Sequence, residues 1–302
     1  MVLWNTRAEL IFGPTPKNFM SPDITPDQAL RTIGTEGNFR ILIASTTGTV
    51  RGVLNAQEPT DDERPMLADL VTASLLLRLT MSPDYRLQTI VQSPEAGRIV
   101  GDSHPDGVTR GLIQRQGDGA FKLGGGTQLS VHRTIFGGDT HQGVVATGEE
   151  QTLGDAVTGY LHQSEQITSV VNIGHRFDGD ELAFAGGFVV QVIPEDGKPD
   201  QSSLALMTAR LENLPNVVKV FDQCDGDNQQ VADLLYGPIE FKSLETNEFH
   251  SGCICSPERV VRALDTLSDD DIEELTADGD NLEVDCDYCN TTHEISPQQI
   301  AR

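Results

Sequence analysis

The chain has 302 residues, 37% of them hydrophobic, enough for one large domain with a substantial core and a smaller one beside it. Its 46 acidic against 21 basic residues give a formal charge of −25, which repels phosphate backbones and anionic lipid surfaces and argues against nucleic acid as a direct partner. The start, MVLWNTRAELIFGPTPKNF, lacks the layout of a secretory signal, and the longest apolar patch, residues 66–81, is interrupted by Asp69 and Arg78 and is too short to span a bilayer. The expectation is a soluble cytoplasmic protein with no membrane partner, in a compartment where thiols stay reduced.

Residues 1–24 carry Pro14, Pro16 and Pro22 without clear periodicity and read as an N-terminal extension. NFRILIAST (38–46) reads as a strand, residues 64–81 as an amphipathic or buried helix, and YRLQTIVQS (85–93) as an alternating strand. Gly- and Asp-rich turns then separate GRIVGD, GVTRGLIQ, TQLSVHRTIF and HQGVVATG, whose spacing suggests an antiparallel sheet. LGDAVTGYLHQSEQ (153–166) has helical periodicity, and TSVVNIGHRF and LAFAGGFVVQVIP are two more strands. Residues 25–194 are therefore expected to form one α+β domain able to fold alone.

After Pro194 a polar break leads into residues 199–236, which read as helices interrupted at 222–227. Residues 195–248 are thus expected to be a helical linker, and 249–302 a small terminal lobe with thirteen acidic residues against Arg259, Arg262 and Arg302. SPERVVRALDTL offers Ser256 as an N-cap, Pro257 at the first helical position and an apolar face of Val260, Val261, Leu264 and Leu267. A unit of that size buries too little to be secure without a metal or disulfides.

Four of the five cysteines stand in that lobe as CICS, with Cys253 and Cys255, and CDYC, with Cys286 and Cys289. They are the inventory of one tetrahedral metal site or of two disulfides. Four thiolates suit Zn²⁺ and leave no position for a catalytic water, so hydrolytic chemistry is disfavoured. His250 and His293 lie close enough in sequence to replace a cysteine, although surface histidines are the better reading. A single residue between Cys253 and Cys255 is shorter than the two to four usual in a permanent zinc ribbon.

The sequences CICSPERVVRAL and CDYCNTTHEIS, with SLLLRLTMSPDYRLQTIVQS, GYLHQSEQITS and AGGFVVQVIPEDG in the same order, resemble the heat shock protein 33 kDa family of redox-switched chaperones over about residues 27–302. The resemblance implies a binding protein and not an enzyme. It implies one Zn²⁺ per chain on Cys253, Cys255, Cys286 and Cys289 in a reduced, inactive state. On oxidation it implies Cys253–Cys255 and Cys286–Cys289 disulfides, zinc loss, unfolding of the lobe, loosening of the linker and, often, a homodimer that holds unfolding client proteins. A permanent zinc-ribbon interaction module and a thiol-disulfide oxidoreductase using Cys286 and Cys289 are the alternatives.

Three weaker signals favour ordinary structure. Lone Cys224 reads as an inert filler, and Asp222, Asp225 and Asp227 fail the spacing of a calcium loop. KLGGGTQ (122–128) lacks the Gly-Lys-Ser/Thr of a phosphate loop, and His132, Asp139 and His141 have no accompanying nucleophile motif.

Overall fold

The computed structural model describes residues 26–35, 39–135, 138–193 and 201–300. The extension expected over residues 1–24 and the polar break after residue 193 lie outside them. Strands β1 (Asp27–Gly34) and β2 (Phe39–Ser45) pair antiparallel and lead into helices α1 (Thr47–Gln57) and α2 (Arg64–Leu79). A meander of β3 (Tyr85–Ser93), β4 (Gly97–Ser103) and β5 (Val108–Arg115) follows, and β6 (Gln128–Ile135) and β7 (Thr140–Ala146) extend it from β3 outward. Helix α3 (Leu153–Ser164) precedes the long hairpin of β8 (Ser169–Asp178) and β9 (Glu181–Val192), which pairs with β2.

Three helices come next, α4 (Gln201–Glu212), α5 (Val217–Gln223) and α6 (Asn228–Tyr236), and then β10 (Phe241–Ser251). This last strand returns to the core and completes a ten-stranded sheet of order β7-β6-β3-β4-β5-β10-β1-β2-β9-β8. Every pairing in that sheet is antiparallel except β5 with β10, where only His250 opposite Val108 and Ser251 opposite Thr109 join the halves. The α+β class holds, with a strand the sequence reading placed in the linker serving as the seam of the sheet.

Helix α2 is buried almost all round, from Leu67 to Leu79, as an apolar helix without a polar face must be. It touches β3, β4 and β5 of one half and β2, β8 and β9 of the other, so the sheet curls around it. Two hydroxyls that α2 brings inside are satisfied within the helix, Thr72 donating to the Ala68 carbonyl at 3.0 Å and Ser74 to that of Leu70 at 2.7 Å.

Strands β2 and β9 are buried on both faces, which is why they read as continuous apolar runs. Leu42, Ala44, Ala185 and Val189 face α1 and α2. Phe39, Ile41, Ile43, Phe188 and Val190 face the other way and are covered by Val220, Phe221, Val231, Leu235 and Tyr236 of α5 and α6 and by Met207 of α4. The helices of the expected linker are thus the lid of a second apolar layer.

The terminal lobe consists of α7 (Pro257–Leu264), α8 (Asp269–Thr276), a two-stranded hairpin of β11 (Leu282–Asp285) with β12 (Thr292–Ile295), and α9 (Pro297–Ile300). Ser256 caps α7, accepting from the Arg259 amide at 3.3 Å. Ser268 and Asp271 form a capping box on α8. Neither helix has a buried residue, and Ile295 and Ile300 are the buried apolar side chains of the lobe.

Candidate metal centre and its docking on the core

Strand β10 runs directly into Cys253 and Cys255, and Gly252 anchors that exit by donating its amide to the Thr109 carbonyl of β5 at 3.2 Å. Gly52 of α1 makes room for it, since a Cβ there would stand 2.0 Å from the Ser251 hydroxyl. Cys286 and Cys289 occupy the turn of the β11–β12 hairpin, where the Cys286 carbonyl accepts from the amides of Cys289 at 3.2 Å and Asn290 at 2.8 Å. Asn290 closes the turn at a φ of 55°, a left-handed conformation that asparagine tolerates.

These two loops bring all four sulfurs within 4.8 Å of one another. Cys253 Sγ lies 3.6 Å from Cys286 Sγ, and Cys255 Sγ lies 3.5 Å from Cys289 Sγ. Tetrahedral zinc with bonds of about 2.3 Å places its sulfurs roughly 3.8 Å apart, so the donor set fits that ion in number, chemistry and spacing. All four are free thiols, separated by more than the ~2.05 Å of a disulfide. Neither His250 nor His293 belongs to the cluster.

The sulfurs are electrostatically unequal. Cys253 is held well below the ordinary thiol range, first by the hydrogen bond from Cys286 and further by the Arg110 guanidinium, while the same contact pushes Cys286 up. Burial and its sulfur neighbours raise Cys255. The cluster therefore favours a thiolate at Cys253, the species that binds metal and attacks oxidants.

Docking residues that the sequence reading did not single out hold this centre against the sheet. Gln57, at the end of α1, accepts from the Ile113 amide at 2.9 Å and donates to the carbonyls of Asp287 at 2.9 Å and Tyr288 at 3.1 Å. Asn290 donates to the Ala56 carbonyl at 2.9 Å. The register of β4 with β5 sets Asp102 opposite Arg110, whose Nε donates to the carboxylate at 2.9 Å. Arg110 Nη1 lies 3.5 Å from Cys253 Sγ, and its guanidinium carbon lies 3.8 Å from the centroid of the Tyr288 ring.

Asp102 is fully buried and receives a bidentate pair from Arg86 at 2.8 and 2.7 Å, with His104 Nε2 at 3.2 Å. Burial alone would raise this carboxyl, but the hydrogen bonds from His104 and Arg86 and the Arg86 charge hold it far below the usual range. Asp102 and Arg110, charged residues at buried positions of β4 and β5, were the signal in the sequence, visible only once the register made them partners.

The weaker signals resolve into structure. Asp227 caps α6, accepting from the Gln230 amide at 2.9 Å, and Asp222 pairs with Arg176 at 2.6 Å. Cys224 is buried in the apolar layer beneath α5 and α6. His132 and His141 stand on the paired strands β6 and β7. Among the described residues no helix is long and apolar enough to cross a membrane.

A curled sheet wrapped on a buried helix, with a four-thiol lobe docked at its seam, defines an α+β protein whose smallest unit is built around a metal-type cysteine cluster. The family model described as Hsp33 protein matches residues 27–296, and the chain belongs to that family of chaperones. Relatives named 33 kDa chaperonin, from Streptococcus pneumoniae strains JJA and serotype 19F G54, are each 25% identical over 288 residues, covering 91% of this chain and 97% of theirs. The crystal structure of a 33 kDa chaperonin from Thermotoga maritima has the same fold, with a TM-score of 0.75 at 22% identity over 91% of this chain and 97% of that one.

Proposed function

We propose that the protein is a redox-controlled holdase, resting with one Zn²⁺ on Cys253, Cys255, Cys286 and Cys289 and activated by their oxidation. Bound zinc supplies the energy that keeps the lobe folded, on the order of 10–16 kcal/mol in small zinc modules. Peroxide is the oxidant class: two molecules take four electrons from four thiolates, take up four protons and leave as four waters, while Cys253–Cys255 and Cys286–Cys289 bonds form. The nearest sulfur pairs run between the motifs, so these bonds require the sulfurs to change partners as the metal leaves.

The observation that carries this reading is the lid formed by α4, α5 and α6. It covers a continuous apolar face of β2 and β9, and it is joined to the cysteine lobe through β10. Loss of the lobe frees the end of β10 beside its two-residue seam with β5, and β10 holds the lid through Ser243, which donates to Gln229 at 2.8 Å. Two short disulfides close loops too small to restore the stabilisation that metal gave. The face laid bare suits unfolding client proteins and a second copy of the chain alike.

Titration of the reduced protein with peroxide tests this, with zinc release and suppression of client aggregation recorded in one sample. The two should rise together. Zinc that resists peroxide, with aggregation unaffected, would replace the switch by a permanent structural ribbon.

A further inference from the structure

We propose that Arg110, clamped by Asp102, is the positioning residue through which the core grips the four-thiolate centre, engaging Cys253 and the Tyr288 ring together so that metal retention and docking of the lobe depend on each other. This rests on the zinc reading above.

The buried charges themselves need an explanation. Arg110 is 9% exposed and Asp102 is fully buried, and a charge pair in such a place costs more desolvation than an apolar pair would. A strand that only had to be stable would carry apolar side chains at these positions. Here Asp102 occupies the Nε edge of the guanidinium, which leaves Nη1 facing Cys253 Sγ and a planar face over Tyr288. A lysine offers neither the flat face nor the divided donors.

Tyr288 stands between two of the ligands, so its ring is placed by the turn that Cys286 and Cys289 close. A guanidinium on an aromatic face is worth about 0.5–2 kcal/mol, rising as water is excluded. The other docking bonds leave the sulfurs untouched: Gln57 and Asn290 donate to backbone carbonyls, Gln114 donates to the Asp287 carboxylate at 3.5 Å and Gln88 to the Tyr288 hydroxyl at 3.4 Å. Among the described residues Arg110 is the core side chain recorded within bonding distance of a ligand sulfur. Four thiolates on Zn²⁺ carry a net charge of −2, and a guanidinium donating to one of them offsets that charge where the lobe's acidic excess cannot. Linkage then requires that whatever metal adds to docking, docking adds to metal affinity.

The test is a double-mutant cycle on the full reduced chain, with Arg110→Met, Tyr288→Leu and both together. Zinc affinity is measured against a chromophoric chelator, and the thiolate-to-metal charge-transfer band is recorded with Co²⁺. Each single change should weaken zinc about tenfold, the scale of residues that orient metal ligands. The double variant should be little weaker than the weaker single one, and Arg110→Met should move the cobalt band to lower energy as the sulfur loses its donor. Wild-type affinity in both variants, or effects that simply multiply, would overturn the proposal. If Arg110→Met does not fold because Asp102 loses a partner, Tyr288→Leu decides alone, since it leaves the Asp102 cluster intact: tenfold weaker zinc supports the grip and unchanged affinity overturns it. A wild-type chain that takes up no zinc overturns the metal reading and, with it, the grip.

Discussion

The hydroxyl of Tyr236, at the end of α6, accepts a hydrogen bond from Thr32 of β1 at 3.2 Å and donates to the Phe39 carbonyl at 3.3 Å, so the lid is pinned to the sheet by a fully buried side chain. Its ring also stacks on Phe241 with centroids 4.4 Å apart. Tyr236→Ala removes the ring and both bonds, at a cost of about 3–5 kcal/mol by analogy with other buried aromatics. The reduced, zinc-loaded variant is expected to bind an apolar dye and suppress client aggregation without oxidant. Tyr236→Phe, which loses about 1 kcal/mol of hydrogen bonding, should stay silent. A silent Tyr236→Ala would show that the covered face is not where clients bind.

The return of β10 bears on where the chain can be cut. A chain ending at residue 251 keeps the residues of all ten strands and of both apolar layers and is expected to melt cooperatively, with its lid, no longer tied to the lobe, open more often than in the zinc-bound full chain. One ending at residue 194, the independent unit expected from the sequence, leaves Phe39, Ile41 and Phe188 uncovered and β1 paired with β2 alone. It should bind apolar dye and melt lower. Equal melting temperatures would mean that the lid contributes nothing to the core.

What could be read in advance follows from where the information lies. Strands β3 and β9 and helix α2 announce themselves because their burial imposes a period or a long apolar run. Helix α1 does not, since TGTVRGVLNAQ has two glycines and β-branched residues, and its cap is distant: Asp27 accepts from the amides of Gly48 at 3.2 Å and Thr49 at 2.6 Å. Strand β10 is largely exposed and polar, held by its backbone pairing with β1, so no alternation betrays it. The clustering of the four cysteines was legible from spacing. Their seat was not, because Asp102, Arg110 and Gln57 acquire meaning only through cross-strand register and the approach of a lobe more than a hundred residues later.

Metal removal should unfold less than the whole. Helices α7 and α8 bury nothing, and thirteen acidic residues in 249–302 repel one another. Chelation under reducing conditions is expected to bring fast hydrogen exchange to residues 253–300 while α2 and β9 keep their protection. Unchanged exchange in α7 and α8 would show that the lobe folds without metal.

A pH dependence unconnected with the thiols arises at His175 of β8, whose Nδ1 lies 2.6 Å from Asp69 of α2. Burial alone would lower this imidazole, but the bond and charge of Asp69 raise it above its ordinary value. A raised folded-state pKa gives stability that is complete below the unfolded value of about 6.5 and is lost as pH climbs through the folded one. The wild-type melting temperature should therefore fall relative to His175→Asn as pH rises from about 6 to 9. Parallel curves would mean that the pair adds no net stability.

Cys224 offers a reporter of the lid that is independent of the four clustered cysteines. It is 4% exposed beneath α5 and α6, and burial together with Asp227, Asp225 and Asp233 raises its pKa, so it is both shielded and poorly nucleophilic at rest. In the reduced, zinc-bound protein an alkylating reagent should leave it unmodified. After peroxide the other four sulfurs are expected to be blocked as disulfides, and opening of the lid should expose Cys224 to the reagent. Mass spectrometry would then find one alkylated cysteine per chain, at residue 224, appearing in step with client binding. If clients are held while Cys224 stays protected, the lid remains closed in the active form and the holding surface lies elsewhere, on the lobe or on the exposed face of β10 around Leu244.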